Sequence, residues 1–108
     1  MIDEVNGFIH GGVELLWTSG GVNHSGIQPH YKKVVMINLA HLSVARSVAD
    51  IQAGWGKLKK AKLLSGHVDR YSMEVNANDR LTFTCDASGV VSKIDLEDTH
   101  GPNGAKRR

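Results

Sequence analysis

The stretch from Tyr71 to His100 constrains the fold of this chain more than any other part of it. Tyr71 to Asn76 alternates apolar and polar residues, as a strand with one buried face does. Asn76 to Asp79 has the composition of a turn, because Asn and Asp tolerate left-handed backbone and hydrogen-bond their own main chain. Arg80 to Cys85 alternates again, with Leu81, Phe83 and Cys85 on one side. Asp86 to Gly89 supplies a second turn, and Val90 to Leu96 reads as a third strand. Three strands joined by two short turns form an antiparallel meander. If Leu81 and Phe83 face a core, then Arg80, Thr82 and Thr84 point the other way. A guanidinium therefore begins a strand on a polar surface shared with Ser72 and Glu74, and function is expected there.

The chain before the meander reads as mostly helical. Ile2 to Asn6 predicts a short first strand. Phe8 to Trp17 predicts a helix, with Phe8, Val13, Leu16 and Trp17 near one face. Gly11 and Gly12 weaken its first turn and imply close backbone packing there, and Thr18 to Gly21 ends it in the manner of a glycine cap. After a polar loop, Pro29 opens a longer helix that runs to about Arg46. Val35, Leu39, Leu42 and Ala45 form its apolar stripe, while Lys32, Lys33, Asn38, His41 and Arg46 are expected on a solvated face. Ser47 to Ile51 predicts a brief further helix, and Lys57 to Gly66 a basic linker or edge strand. The order predicts an α+β fold, with two N-terminal helices packed on one face of an antiparallel sheet of three to four strands. Residues 1–100 are expected to form a single domain and residues 101–108 a flexible basic tail.

Composition excludes several classes. With 108 residues, 41% hydrophobic and 22% charged, the chain is long enough for one modest core and too apolar for a disordered protein. It has no apolar run of membrane-spanning length and no signal peptide at its start, which predicts a cytoplasmic protein. The lone Cys85 makes no internal disulfide, and its parity with Leu81 and Phe83 predicts a buried, inert thiol. Six histidines and one cysteine lack zinc-ligand spacing, so neither metal nor cofactor is expected. The net charge of +2 is mild, but the basic residues are uneven: Lys57, Lys59, Lys60 and Lys62 cluster, and the chain ends Lys106, Arg107, Arg108.

Four segments, in order, resemble HigB-like toxins, the plasmid-maintenance killer group of the RelE/ParE superfamily. Phe8 to Trp17 is similar to their F-x-H-x-G-L-x-L-L-F opening helix. Gly26 to Pro29 is similar to the G-I/V-P that starts their second helix. Tyr71 to Phe83 resembles their Y/W-S-I-x-V-N-x-x-W-R-I-T-F stretch, and Glu97 to His100 their closing E-D-Y-H. The resemblance covers about residues 1 to 100, with the segments in the right order and spacing. The resemblance implies a RelE-like fold with a twisted antiparallel sheet. It also implies a toxin of a type II toxin–antitoxin pair that cuts messenger RNA in the ribosomal A site and is neutralised by a HigA-like antitoxin. Its expected partners are thus the antitoxin, the ribosome and mRNA, with no membrane. Three positions depart from the pattern: Asp79 stands where the family has an aromatic, Thr99 where it has Tyr, and Lys62 to Gly66 replaces H-P-L-K-G, with Ser65 at the lysine position.

Cleaving RNA through its own 2′-hydroxyl needs a base for the 2′ proton, cations for the crowded phosphate, and an acid for the leaving 5′ oxygen. Arg80 suits the phosphate, since its fork spans two oxygens and stays charged; its structural alternative is an ion pair with Glu74 across the hairpin. His100 suits acid or base work near neutrality, with Glu97 and Asp98 near enough to orient it. Strict alternation from Ile94 and Leu96 would carry His100 to the core side, so the strand must end or twist before it. Lys62 and His67 are candidates for a second proton-transfer group. Lys57, Lys59, Lys60 and Arg70 are candidates for contacts to RNA phosphates, with a solvated edge as the alternative. Two other functions remain open: a gyrase-binding inhibitor of the ParE kind, and a degenerate toxin that only binds its antitoxin.

Overall fold

A computed structural model describes residues 1–53, 61–75, 79–101 and 104–107, the last two stretches from Asp98 onward by their backbone. In chain order it contains α1 (Gly11–Thr18), a short 3-10 turn (Pro29–Tyr31), α2 (Lys32–Val44), α3 (Val48–Ala53), β1 (Lys62–Leu63), β2 (Arg70–Glu74), β3 (Asp79–Cys85), β4 (Val91–Gly101) and β5 (Gly104–Arg107). The strands pair antiparallel in the order β1-β2-β3-β4-β5. The fold is α+β, as expected. The sheet is wider than the three or four strands expected, because Gly104–Arg107 pairs with β4 instead of forming a free tail.

The helices begin and end where side chains and glycines satisfy orphan backbone groups. The imidazole Nδ1 of His10 accepts a hydrogen bond from the Val13 amide at 3.1 Å, so α1 starts at Gly11 and not at Phe8. Phe8 instead bridges to Ile94 of β4, and Ile2 bridges to Val91. These two bridges are all that the expected first strand amounts to: the Asp3 carboxylate accepts from the Val5 and Asn6 amides and turns the chain between them. At the other end of α1, the Gly20 amide reaches Trp17 O and the Gly21 amide reaches Leu16 O, with positive φ at both glycines. This paired closure is a Schellman motif. Ser47 and Asp50 open α3 by a reciprocal exchange, the Ser47 hydroxyl accepting from the Asp50 amide and the Asp50 carboxylate from the Arg46 amide. The ammonium of Met1 donates to Leu42 O, Ala45 O and Gly89 O, satisfying carbonyls at the end of α2.

The core lies between the helices and one face of the sheet. Val13 and Leu16 of α1, Val35, Leu39 and Leu42 of α2, and Ile51 of α3 are fully buried with Met73, Leu81, Phe83, Val91, Ile94 and Leu96. The register sets Tyr71 opposite Phe83 and Met73 opposite Leu81 on this face, and the two rings stack with centroids 6.1 Å apart. Asn38 and His41 of α2 are buried too, contrary to the solvated face expected of them. The apolar stripe of α2 is wide enough to draw its flanking polar residues under the sheet, where the Asn38 amide donates to Glu74 O at 3.5 Å. No helix among the described residues is long and apolar enough to cross a membrane.

Close packing does occur at the α1 entrance, and Gly12 carries it. A Cβ on Gly12 would lie 2.7 Å from Gly26 O, and one on Gly26 would lie 2.6 Å from the Gly12 Cα, whereas a Cβ on Gly11 meets nothing within 4 Å. Two backbones thus touch where α1 meets the loop before α2. Gly12→Ala is expected to destabilise the protein by about 1–3 kcal/mol through overpacking, while Gly11→Ala leaves it unchanged or gains up to about 1 kcal/mol of helix propensity. Urea unfolding of the two variants side by side measures the difference.

Candidate functional site

The face of the sheet opposite the helices carries the polar side chains of the strands. Side chains directly opposed in an antiparallel pair share a face, so the register sorts them into rows. One row runs Glu74, Arg80, Glu97 and then Arg107 across β2, β3, β4 and β5. The next runs Lys62, Ser72, Thr82 and Asp95 across β1 to β4. Arg70 and Thr84 stand opposite each other one row further on. The alternation of β3 thus divides Leu81, Phe83 and Cys85 from Arg80, Thr82 and Thr84 as the sequence implies.

Arg70 ties three strands together. Its Nη1 donates to Thr84 Oγ1 at 3.2 Å and to the main-chain carbonyl of Lys93 at 2.7 Å, and its Nη2 donates to Thr82 Oγ1 at 3.1 Å. The Thr82 hydroxyl, fully buried beneath it, donates in turn to Glu97 Oε2 at 2.5 Å. Burial lowers the Arg70 guanidinium from its ordinary pKa, while Glu97, Asp95 and Asp69 act in the opposite sense. The Lys93 carbonyl is available because β4 bulges there. Thr82 pairs with Asp95 and Thr84 with Ser92, so β4 holds one more residue than β3 over that interval, and Lys93 takes a φ of 52°. Arg70 is therefore a brace of the sheet, not the open phosphate contact expected of it.

Arg80 is held by the structural partner that the sequence offered. Its Nη2 lies 3.7 Å from Glu74 Oε1, and its Nη1 donates to Asp79 O at 3.2 Å. Its position opposite Glu97 puts it between two carboxylate-bearing strands. Asp79, at the aromatic position of the resembled pattern, is buried at the core end of β3.

The remaining candidates are not gathered at one point. His100 lies in β4, three residues beyond Glu97; its side chain is outside the described residues. Between Asp98 and Gly101 the pairing with β5 gains one residue on β4. Lys62 is exposed on β1 in the Thr82 row. His67 is exposed in the turn that follows β1, where its amide donates to Leu64 O at 3.1 Å. That turn adjoins Arg70, whose partner Thr84 is four residues from Arg80 on β3, a separation of roughly 13 Å along the strand. His67 and Arg80 thus belong to opposite ends of the face. Lys57, Lys59 and Lys60 lie outside the described residues.

Two contributors were not singled out by sequence reasoning. Thr82 was read only as a polar-face residue, and Glu97 only as a neighbour of His100. Register decides both, and counting back from the Asp86–Gly89 turn would set Arg80 opposite Leu96; the extra residue of the β4 bulge brings Glu97 there instead. Among the described residues there is no cluster of three or more side chains able to hold a metal ion. Neither protein-family models nor curated proteins give a match to the chain.

Cys85 is buried and free, and its thiol is raised above the ordinary 9.0, chiefly by desolvation. A raised folded-state value gives stability that is complete below about 9.0 and is lost as pH rises through the folded value. The native thiol is expected to react with a thiol reagent such as Ellman's at least about tenfold more slowly than the urea-unfolded thiol at the same pH. Equal rates would mean that β3 opens freely at its end.

Proposed function

We propose that this chain is a toxin of the HigB kind, a ribosome-dependent endoribonuclease of messenger RNA that a cognate antitoxin neutralises. The observation that carries the reading is the polar face of the sheet, turned away from the described helices, on which Arg80 adjoins the end of β4 that bears His100. The four-segment resemblance supplies the reaction class. In this reading Arg80 holds the non-bridging oxygens of the scissile phosphate, and His100 transfers a proton to or from the reacting oxygens. Lys62 and the lysines preceding it attract the RNA backbone without regard to sequence.

A second reading has its own support. Arg70 makes three hydrogen bonds within the sheet, Arg80 already faces Glu74, and the carboxylates of Glu74 and Glu97 and the buried Asp95 lie on the same face. A face whose cations are balanced by carboxylates attracts phosphate weakly. That balance favours a degenerate toxin which binds an antitoxin and cuts nothing.

Induced expression in bacteria, with transcript ends mapped, separates the two. The nuclease reading expects growth arrest with new in-frame ends, and expects Arg80→Ala to lower cleavage by about 10²–10³-fold, the worth of a well-aimed charge donor. His100→Ala is expected to abolish the same ends. Wild-type expression without arrest or new ends favours the antitoxin-binding reading, and a fully active, folded Arg80→Ala protein removes Arg80 from the mechanism.

A further inference from the structure

Glu97 is more firmly built into the polar face than a solvated carboxylate would be. One oxygen, Oε2, accepts from the buried Thr82 hydroxyl, and that hydroxyl is fixed by Arg70 Nη2. Arg70 is itself anchored by the carbonyl of the β4 bulge and by Thr84. Glu97 is itself half-buried, and Oε2 is the oxygen that the Thr82 hydroxyl holds. The β3–β4 register sets the residue directly opposite Arg80. A carboxylate held in one orientation on the strand next to a guanidinium matches the demand of 2′-hydroxyl activation.

We infer that Glu97 is the base that takes the 2′ proton, and that Arg70, acting through Thr82, is its positioning residue. The assignment rests on the ribonuclease reading above. In the step it performs, Glu97 accepts the 2′ proton as the 2′ oxygen bonds to phosphorus. The bond from phosphorus to the 5′ oxygen breaks, and that oxygen takes a proton from the acid, His100. The products are a 2′,3′-cyclic phosphate and a free 5′-hydroxyl. Glu97 then returns its proton to solvent and His100 regains one, so no oxidant, reductant or metal enters the balance. The charged groups around Glu97 are Arg80 on the neighbouring strand, Arg70 through Thr82, and Asp95 on its own strand, and the backbone of Arg107 is its register partner on β5. His67 is not needed in this scheme, which agrees with its position at the far end of the face.

The test is single-turnover cleavage of message on programmed ribosomes by the full chain, followed across pH. Glu97→Gln is expected to cut about 10²–10⁴-fold more slowly, the usual worth of a positioned proton acceptor, with ribosome co-sedimentation unchanged and the acidic limb of the pH–rate profile lost. Thr82→Val removes a hydrogen bond to the charged carboxylate, so its acidic limb is expected to move to higher pH; Thr82→Ser, which keeps the hydroxyl, is expected to restore the wild-type profile. Glu97→Gln activity within about threefold of wild type would overturn the assignment, and a Thr82→Val profile identical to wild type would overturn the positioning role. Should Glu97→Gln fail to melt as a folded protein, the Thr82 pair decides the question. Wild-type protein that leaves the message intact overturns the ribonuclease reading and this one with it, whereas an active wild type with an active Glu97→Gln overturns this one only.

Discussion

The polar face of this protein depends on one guanidinium. Arg70 begins β2, yet its hydrogen bonds end on β3 and β4, at two threonine hydroxyls and the Lys93 carbonyl. Without it the buried Thr82 hydroxyl would lose a donor, and Glu97 would lose a nearby positive charge. A half-buried arginine is costly to desolvate unless several acceptors meet it. Here three acceptors and the nearby carboxylates do so. The same groups that stabilise the cation also fix the outward face of the central strands, so the geometry of the candidate site and the stability of the sheet share their hydrogen bonds.

Much of the architecture was legible before any coordinates. Alternation in Leu81, Phe83 and Cys85 identified the buried side of β3, and spacing in Val35, Leu39 and Leu42 identified that of α2, because burial imposes period 2 on strands and roughly 3.6 on helices. What periodicity missed was decided by particular contacts. Asn38 and His41 look solvated by type, but lie within the arc that α2 turns to the sheet. The start of α1 was set by a histidine cap, a weak signal because the imidazole is an uncommon capping group. The pairing of Gly104–Arg107 had no apolar alternation to announce it; its positions opposite Glu97 and Asp98 pair basic residues with acidic ones. The candidate site was legible by residue type and only partly by place. Arg80 and the end of β4 adjoin, His67 does not join them, and the roles of Thr82 and Glu97 needed the register.

The charge arrangement explains why two readings of the same surface compete. Glu74, Arg80 and Glu97 alternate across three strands, an arrangement that cross-strand pairs favour for stability. The same alternation leaves little net field to draw in a polyanion. A nuclease built on this face would owe its attraction for RNA to lysines elsewhere in the chain and reserve the strand rows for chemistry. A binding protein would use the alternation as it stands.

The bulge at Lys93 acts as a phase shifter within β4. Val91 lies in the core, and strict alternation from it would send residues 93, 95 and 97 inward after it. One surplus residue resets the count, so Ile94 and Leu96 enter the core while Asp95 and Glu97 turn to the opposite face. The two halves of one strand thus obey opposite parities, joined by a residue in an unfavourable left-handed conformation. The presence of position 93 matters more than its side chain, although its left-handed backbone favours Gly or Asn and disfavours β-branched residues: loss of that single residue would exchange two aliphatic side chains for two carboxylates in the core. Chain length at this point, more than chemistry, is what selection must guard.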